Sequence, residues 1–275
     1  MKTFLILLAC ACGLYALDPS WNVPQAPFRI YGNTYYVGPH GLSSVLITSA
    51  AGHVLIDGAL KESVPQIVAN IRKLGFRIED VKLIVNSHVH YDHAGGIARL
   101  QQLSGARVLA SPWSAGVMTR TGVGRGDPQS GELTPITLVP HVQTLRDGET
   151  LRVGAVELTA HLTPGHTPGG TSWTWKSCEG SQCLNLVYAD SLSAVSAEGF
   201  KFTANRDYPD ALKDFEKSFS FLSTVDCDIL MTTHPDASNL WERVAANQLI
   251  DRNACRQLAD NARTQLAKRV AAERP

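Results

Sequence analysis

Three histidines and one aspartate fall within six consecutive positions of this chain, where they could bind metal ions together. They are His88, His90, Asp92 and His93. They follow the apolar run 81–85, whose β-branched residues predict a buried strand, and they precede a Gly-Gly pair and a helical pattern. Positions 88 and 90 project to one side of an extended chain, while 92 and 93 lie where the chain turns into the helix. Two adjacent ligand pairs can therefore serve two metal ions, and imidazole with carboxylate suits zinc.

Two further histidines follow predicted strands directly. His166 lies in the Pro- and Gly-rich segment 163–170, and His234 follows the strand that ends at Thr233. Because a sheet holds residues at its strand ends while their tips reach the rim, we predict that six ligand groups converge. Four histidines lack this context, and we assign them to surface or loop positions, with a packed role also open for His161: His40, His53, His141 and His161.

Composition limits the classes of function. The 275 residues are 44% hydrophobic and 18% charged, which predicts one large globular α/β domain. The formal net charge is zero, and it becomes about −1 without a leader that contains Lys2. No charge pattern for nucleic acid or for an anionic membrane is present, so we expect a small-molecule substrate and a monomer.

The N-terminus has the pattern of a secretory signal peptide. Residues 1–16 contain one lysine, a short apolar run and small residues before Ala16. Cleavage there would leave residues 17–275 as a single periplasmic domain with no membrane segment, since the apolar run is too short to span a bilayer. The alternative is a lipid anchor at Cys10, because Leu7-Leu8-Ala9-Cys10 resembles a bacterial lipoprotein cleavage box.

Four cysteines remain after removal of the leader, and an oxidising compartment favours disulfide bonds between them. Three pairings are possible. Cys178 and Cys183 bracket four residues between two strand-like runs, as in a hairpin closed by a local bridge, and Cys227 would then pair with Cys255. Cysteine ligation of zinc is the alternative, but neither pair has a Cys-x-x-Cys spacing beside the histidines.

Hydrophobic periodicity predicts two halves, each made of strands followed by helices. The first half has strands at 28–31, 34–37, 44–47, 53–56, 81–85 and 107–110, with helices at 64–74, 94–103 and 112–119. The second has strands at 143–145, 150–152, 155–162, 171–177, 184–189 and 228–233, a helix around 212–222 and a helix at 252–270. Two sheets face to face with helices outside are therefore expected. The irregular segment 120–142 is either a loop over the site or a connector.

The motifs and their order resemble the metallo-β-lactamase superfamily over residues 27 to 250. The resemblance rests on His88-x-His90-x-Asp92-His93, then His166, Ala189-Asp190-Ser191 and His234. It implies an αββα sandwich with two mixed, mostly antiparallel sheets. Subclass B3 is the most similar, because Ser191 stands where other subclasses place a zinc-binding cysteine and His93 takes over as the ligand.

The resemblance implies two zinc ions per chain. His88, His90 and His166 would bind the first, and Asp92, His93 and His234 the second. Each ion would keep an open position, as catalytic sites do. A hydroxide between the ions, oriented by Asp92, would attack the amide bond of penicillins, cephalosporins and carbapenems, conferring antibiotic resistance.

The resemblance also implies substrate contacts. Ser191 and Ser193 would bind the substrate carboxylate, although serines also cap loops, and Gln129 is a weaker candidate. Asp190 would orient a ligand or, as in glyoxalase II, bridge the metals. Other readings are a lactonase or glyoxalase II-like thioesterase of the same fold, or a non-catalytic zinc protein. Export disfavours the thioesterase because its glutathione substrate is cytosolic.

Overall fold

The computed structural model describes residues 18–274. The predicted signal peptide 1–16 and the alternative lipid-attachment residue Cys10 therefore lie outside the described residues. No helix in this described range is long and apolar enough to cross a membrane.

The first sheet has seven strands that lie side by side in chain order. They are β1 Phe28–Tyr31, β2 Thr34–Tyr36, β3 Val45–Ser49, β4 Gly52–Ile56, β5 Val81–Val85, β6 Arg107–Ala110 and β7 Val142–Thr144. The first four form the predicted antiparallel meander, and β5, β6 and β7 then join in parallel. Helices α1 Val64–Lys73, α2 Tyr91–Ala94, α3 Ile97–Ser104 and α4 Pro112–Arg120 lie in the connections. Parallel neighbours require such crossovers.

The second sheet has five strands in the order β12-β11-β10-β9-β8. They are β8 Thr150–Val153, β9 Val156–Leu162, β10 Thr171–Glu179, β11 Gln182–Ala189 and β12 Ile229–Thr232. Pairing is antiparallel except between β11 and β12, which are joined through α5 Ala211–Thr224. Two more helices, α6 Leu240–Ala245 and α7 Ala254–Glu273, complete the described chain.

Alternation along the strands builds the layers of the αββα sandwich. In β3 to β5, Leu46, Leu55 and Ile84 face an apolar cluster with α1 and α3. Their neighbours, among them Ile47 and Val85, face the second sheet. Since successive side chains of a strand point to opposite faces, a continuous apolar run serves two cores at once. A third cluster joins the second sheet to α5 and α7.

Two predicted elements differ from the structure. Residues 143–145 were assigned to the second half, but β7 pairs in parallel with β6 and so ends the first sheet. The helix predicted at 94–103 is divided, since Ala94 ends α2 and α3 begins at Ile97. The Gly95-Gly96 pair between them passes close to other backbone, and a Cβ on Gly96 would meet the carbonyl oxygen of Gly58.

The structure contains the disulfide bonds Cys178–Cys183 and Cys227–Cys255. The first closes the hairpin of β10 and β11, where the two cysteines are direct cross-strand partners. The second joins the segment before β12 to the first turn of α7 and so attaches this helix to the second sheet.

Candidate metal centre

The carboxyl ends of β5, β9, β11 and β12 meet at one rim of the sandwich, and all six predicted ligands extend from three of them. His88 and His90 lie in the loop after β5, and the short α2 carries Asp92 and His93. His166 follows β9, and His234 follows β12. The strand order explains the convergence, because β9, β11 and β12 all run in the same direction.

His88, His90 and His166 form a first cluster. Each offers one nitrogen, and these ligand atoms lie within 4.8 Å of one another. The ring centroids are 4.6 Å apart for His88 and His90, 4.8 Å for His88 and His166, and 5.0 Å for His90 and His166. All three side chains are buried, so their ring nitrogens need partners within the protein or a bound ion.

One nitrogen of each of these histidines has a protein acceptor. His88 Nδ1 lies 2.6 Å from Asp190 Oδ1, and His90 Nε2 lies 2.9 Å from Asp127 Oδ2. His166 Nδ1 donates to the carbonyl oxygen of Ser193 at 2.8 Å. The other nitrogen of His88, Nε2, is buried without a hydrogen-bond partner. Histidines that ligate metals are held by acceptors in this way, which fixes the tautomer.

Asp92 and His93 lie beside His88, with ligand atoms within 4.8 Å of one another, and together with His234 they form a second cluster. Asp92 Oδ2 lies 3.1 Å from His93 Nε2 and 3.1 Å from His234 Nε2. Ligand atoms on one tetrahedral zinc ion are roughly 3.3 Å apart at zinc–nitrogen distances of about 2.0–2.1 Å. His93 Nε2 is buried and forms no hydrogen bond even at this distance. Asp92 Oδ2, His93 Nε2 and His234 Nε2 thus bring lone pairs to one point, as the ligands of a single metal ion do.

The pKa values agree with metal ligation. Burial, together with the neighbouring histidines, lowers the pKa of His88 well below its usual range, and burial lowers the pKa of His166 to about 3. Both rings are therefore neutral near pH 7 and keep a lone pair. Burial alone would raise the pKa of Asp92, but His93 and His234 lower it well below its usual range, so this carboxylate is ionised.

Buried Asp57 supports the loop that carries the first ligands. It accepts hydrogen bonds from the Ser87 backbone N–H at 2.7 Å, from Ser87 Oγ at 2.6 Å and from Tyr188 Oη at 2.8 Å. Its φ of 60° is rare for a residue with a side chain. The prediction from sequence missed Asp57, although a carboxylate directly after an apolar strand was a usable signal.

Asp127 was also missed. It lies in the irregular segment after α4, is 2% exposed and contacts His90, so of the two interpretations left open for this segment the structure favours a loop over the site. Its other carboxylate oxygen, Oδ1, accepts the backbone N–H of Gln129 at 2.9 Å. Gln129 itself is thereby placed near the site, but its side chain belongs to neither cluster.

Asp190, Ser191 and Ser193 follow β11. Asp190 contacts His88 Nδ1, the ring nitrogen that points away from the candidate metal centre, and belongs to neither ligand cluster. This position favours a role in orienting His88 over a role in bridging two metals. Ser191 Oγ lies 2.8 Å from Thr233 Oγ1, next to His234, and Ser193 Oγ lies 3.2 Å from His166 Nδ1. The two serines thus flank both clusters.

The four remaining histidines lie outside both clusters. His40 stacks on Trp241, and His141 is exposed. His161 Nε2 lies 2.8 Å from Thr174 Oγ1. The expected surface or loop position is wrong for His53, which is buried in β4 against Phe76. An edge-on contact with the Phe76 ring replaces solvent there.

Comparisons with known proteins agree on one family. Residues 37–178 match the profile of the Metallo-beta-lactamase superfamily. Rm3 metallo-beta-lactamase is 55% identical, with a TM-score of 0.91 over 92% of this chain and 97% of that one. MEM-A1, a subclass B3 metallo-beta-lactamase from a soil metagenome library, is 52% identical, with a TM-score of 0.90 over 92% and 98% of the two chains.

Curated sequence relatives match over shorter stretches. Hydroxyacylglutathione hydrolase of Idiomarina loihiensis is 29% identical over 89 residues, which are 32% of this chain and 26% of that enzyme. An uncharacterized protein of Aquifex aeolicus is 29% identical over 139 residues, which are 48% of this chain and 59% of that protein. The chain therefore spans less than two thirds of the length of either curated relative.

Proposed function

Because this chain belongs to the metallo-β-lactamase superfamily, we propose that it is a zinc-dependent β-lactamase that hydrolyses the amide bond of penicillins, cephalosporins and carbapenems and thereby confers antibiotic resistance. One observation carries the proposal: the ligand atoms of His88, His90 and His166 converge, those of Asp92 and His93 converge beside His88, and Asp92 Oδ2 also lies 3.1 Å from His234 Nε2. The similar solved structures that bear the name metallo-beta-lactamase cover nearly the whole chain.

The donor atoms favour zinc, and their number favours two ions. Five imidazoles and one carboxylate, with no thiolate, suit zinc. Three protein ligands per ion leave a position open, whereas structural zinc sites usually fill all four from the protein. Two zinc ions bound here would lower the pKa of a shared water to about 7 and polarise the lactam carbonyl.

The protein's own residues position the reaction. Asp92 is ionised, and its Oδ2 faces the same point as His93 and His234. It can therefore act as a ligand and accept a hydrogen bond from the attacking water. Asp127 and Asp190 hold the rings of His90 and His88 in fixed orientations. Since no side-chain nucleophile is required, no covalent enzyme intermediate forms.

The two serines after β11 suit the carboxylate that β-lactams carry next to the ring nitrogen. Ser191 and Ser193 flank the clusters, and their hydroxyl groups can donate to that carboxylate. Gln129 is a second candidate contact because its backbone N–H binds the carboxylate that holds His90. We place the enzyme in the periplasm on the basis of the leader.

A glyoxalase II-like thioesterase or a lactonase on the same scaffold is the alternative. The similarity to hydroxyacylglutathione hydrolase is confined to 26% of that enzyme. Asp190, which would bridge the metals in such an enzyme, instead accepts a hydrogen bond from His88. Both observations favour the β-lactamase.

The purified, zinc-loaded protein tests the proposal. We expect it to hydrolyse nitrocefin, a penicillin and imipenem, to lose this activity with a chelator and to regain it with zinc. Mass spectrometry of the metal should give about two zinc ions per chain. A protein that is inert towards every β-lactam but cleaves S-lactoylglutathione would contradict the β-lactamase and support the thioesterase.

A pair of histidine variants separates loss of the site from loss of the fold. His166→Ala removes one ligand of the first cluster, so we expect activity to fall at least about 100-fold, with loss of zinc. His161→Ala is the matched control because His161 lies nearby in the chain but binds Thr174 instead. It should retain activity within about threefold. Equal losses in both variants would contradict the assignment of His166.

A further inference from the structure

A cavity of about 550 Å³ opens beside the second ligand cluster and extends to the C-terminal helix. His234, Ser191 and Ser193 line it at the candidate metal centre, and one face of α7 forms the far wall. Small-molecule sites have volumes of roughly 300–1,000 Å³. A larger cavity of about 940 Å³, between α1, α3 and the edge of the first sheet, is lined by none of the six candidate ligands.

Polar residues line the cavity at the metal end and along the edge of α7, and the surface between them is mostly apolar. Apolar side chains come from the segment after β11 and from α7: Leu192, Ala194, Val195, Leu258 and Ala262. Val195 is 53% exposed, an unusual position for a large apolar side chain. Exposed Asn261 and Gln265 can offer hydrogen bonds at the edge of the cavity. An apolar group that carries heteroatoms fits this pattern.

Contacts with the end of α7 attach the segment after β11, which forms one wall of the cavity, to this helix. Arg269 donates to Ser196 Oγ and to the carbonyl oxygen of Phe200, both at 2.8 Å. Glu273 accepts the backbone N–H groups of Phe202 at 3.0 Å and Thr203 at 2.9 Å. The segment after β11 is therefore held on α7 from outside the active site. A wall fixed in this way is preorganised, so binding does not have to order it.

The chemistry of β-lactams directs one part of the substrate into this cavity. In cephalosporins and carbapenems, the ring carbon that carries the carboxylate is doubly bonded to the carbon that carries a variable substituent. Ser191 and Ser193 line the cavity, so the substituent on the carbon next to a carboxylate held by these serines lies within reach of it. We infer that the cavity binds this substituent and selects aryl and heteroaryl groups, an inference that rests on the proposed function.

Two cephalosporins with the same acylamino group test the inference. One carries a methyl group next to the carboxylate-bearing carbon and the other an arylvinyl group, and neither substituent leaves when the ring opens. Ala262→Trp fills the cavity, so the ratio of kcat/KM for the arylvinyl over the methyl compound should fall about tenfold, mainly through KM. Gln265→Trp, at an exposed position that disturbs no core packing, should lower the same ratio in the same direction.

The matched control is Ala267→Trp, which makes the same change on the exposed face of α7. In this variant the ratio of kcat/KM for the arylvinyl over the methyl compound should stay within twofold of the value for the parent protein. Calorimetry with the ring-opened arylvinyl product gives a readout apart from turnover: Kd should rise about tenfold in Ala262→Trp, should also rise in Gln265→Trp, and should not change in Ala267→Trp. An unchanged ratio in both cavity variants, with both cephalosporins hydrolysed, would overturn the inference alone. A parent protein that hydrolyses neither compound would overturn the proposed function, and the inference with it.

Discussion

Asp127 and Asp190 each accept a hydrogen bond from a histidine whose other ring nitrogen faces the candidate metal centre. Both carboxylates are almost fully buried. Burial raises the pKa of Asp190 well above its usual range, while its partner His88 donates from Nδ1. Such outer partners set the tautomer and basicity of a ligand, so they act on metal affinity without touching the metal.

Replacing either partner by asparagine keeps the shape but puts an amide in place of the carboxyl group that holds the histidine. We expect Asp127→Asn and Asp190→Asn to bind zinc about 10–100-fold more weakly, measured by competition with a chromophoric chelator. Exposed Asp207, which pairs with Arg125, provides the control Asp207→Asn, whose affinity should not change. If Asp190 bridged the metals, Asp190→Asn would instead lose one zinc equivalent even at saturating zinc.

At this scale the sequence predicts ligands better than their partners. The first four ligands were recognisable because they lie within six positions and their residue types are rare there. Asp127 carried no such local signal, since it reaches His90 only because the irregular segment folds back over the rim. The orientation of Asp190 was equally undecidable, because it depends on the distance between the ends of β5 and β11.

Strands and helices follow from periodicity where each element makes local contacts. The meander β1 to β4 and the amphipathic α5 were predictable because residues two or four positions apart share a face. The placement of β7 in the first sheet was not predictable from periodicity. Its three residues carry no pattern that distinguishes one sheet from the other, and the choice depends on where the preceding irregular segment ends.

The two disulfide bonds should differ in their effect on stability. Cys227 and Cys255 are separated by 28 positions, and Cys178 and Cys183 by 5. Since a longer closed loop removes more entropy from the unfolded chain, opening Cys227–Cys255 should lower the free energy of unfolding by about 1.4 kcal/mol more than opening Cys178–Cys183.

Urea unfolding of two double alanine variants, each lacking one bond, measures this difference. The variant Cys178→Ala/Cys183→Ala serves as the reference for Cys227→Ala/Cys255→Ala. Because the second pair attaches α7, its loss should also expose more of the helix to proteolysis. A larger loss from the hairpin pair would contradict the loop-length argument.

For the whole molecule, formation of the two disulfide bonds should depend on export to an oxidising compartment. We expect full-length protein produced in a Gram-negative host to be recovered from the periplasm with Leu17 as its first residue, as determined by mass spectrometry. Deletion of residues 2–16 should leave it in the cytoplasm with free thiols. Cys10→Ser should not change the distribution. Membrane retention that Cys10→Ser abolishes would support the lipid anchor instead.

The rim on which the ligands meet belongs to both sheets. Four ligands extend from β5 in the first sheet, while His166 and His234 extend from β9 and β12 in the second. Any ion held by either cluster therefore cross-links the two layers of the sandwich. Its binding energy adds to the cohesion of the fold by mass action. Resistance to heat and the proposed hydrolysis then depend on the same supply of metal, so stripping the metal from the protein should weaken both together.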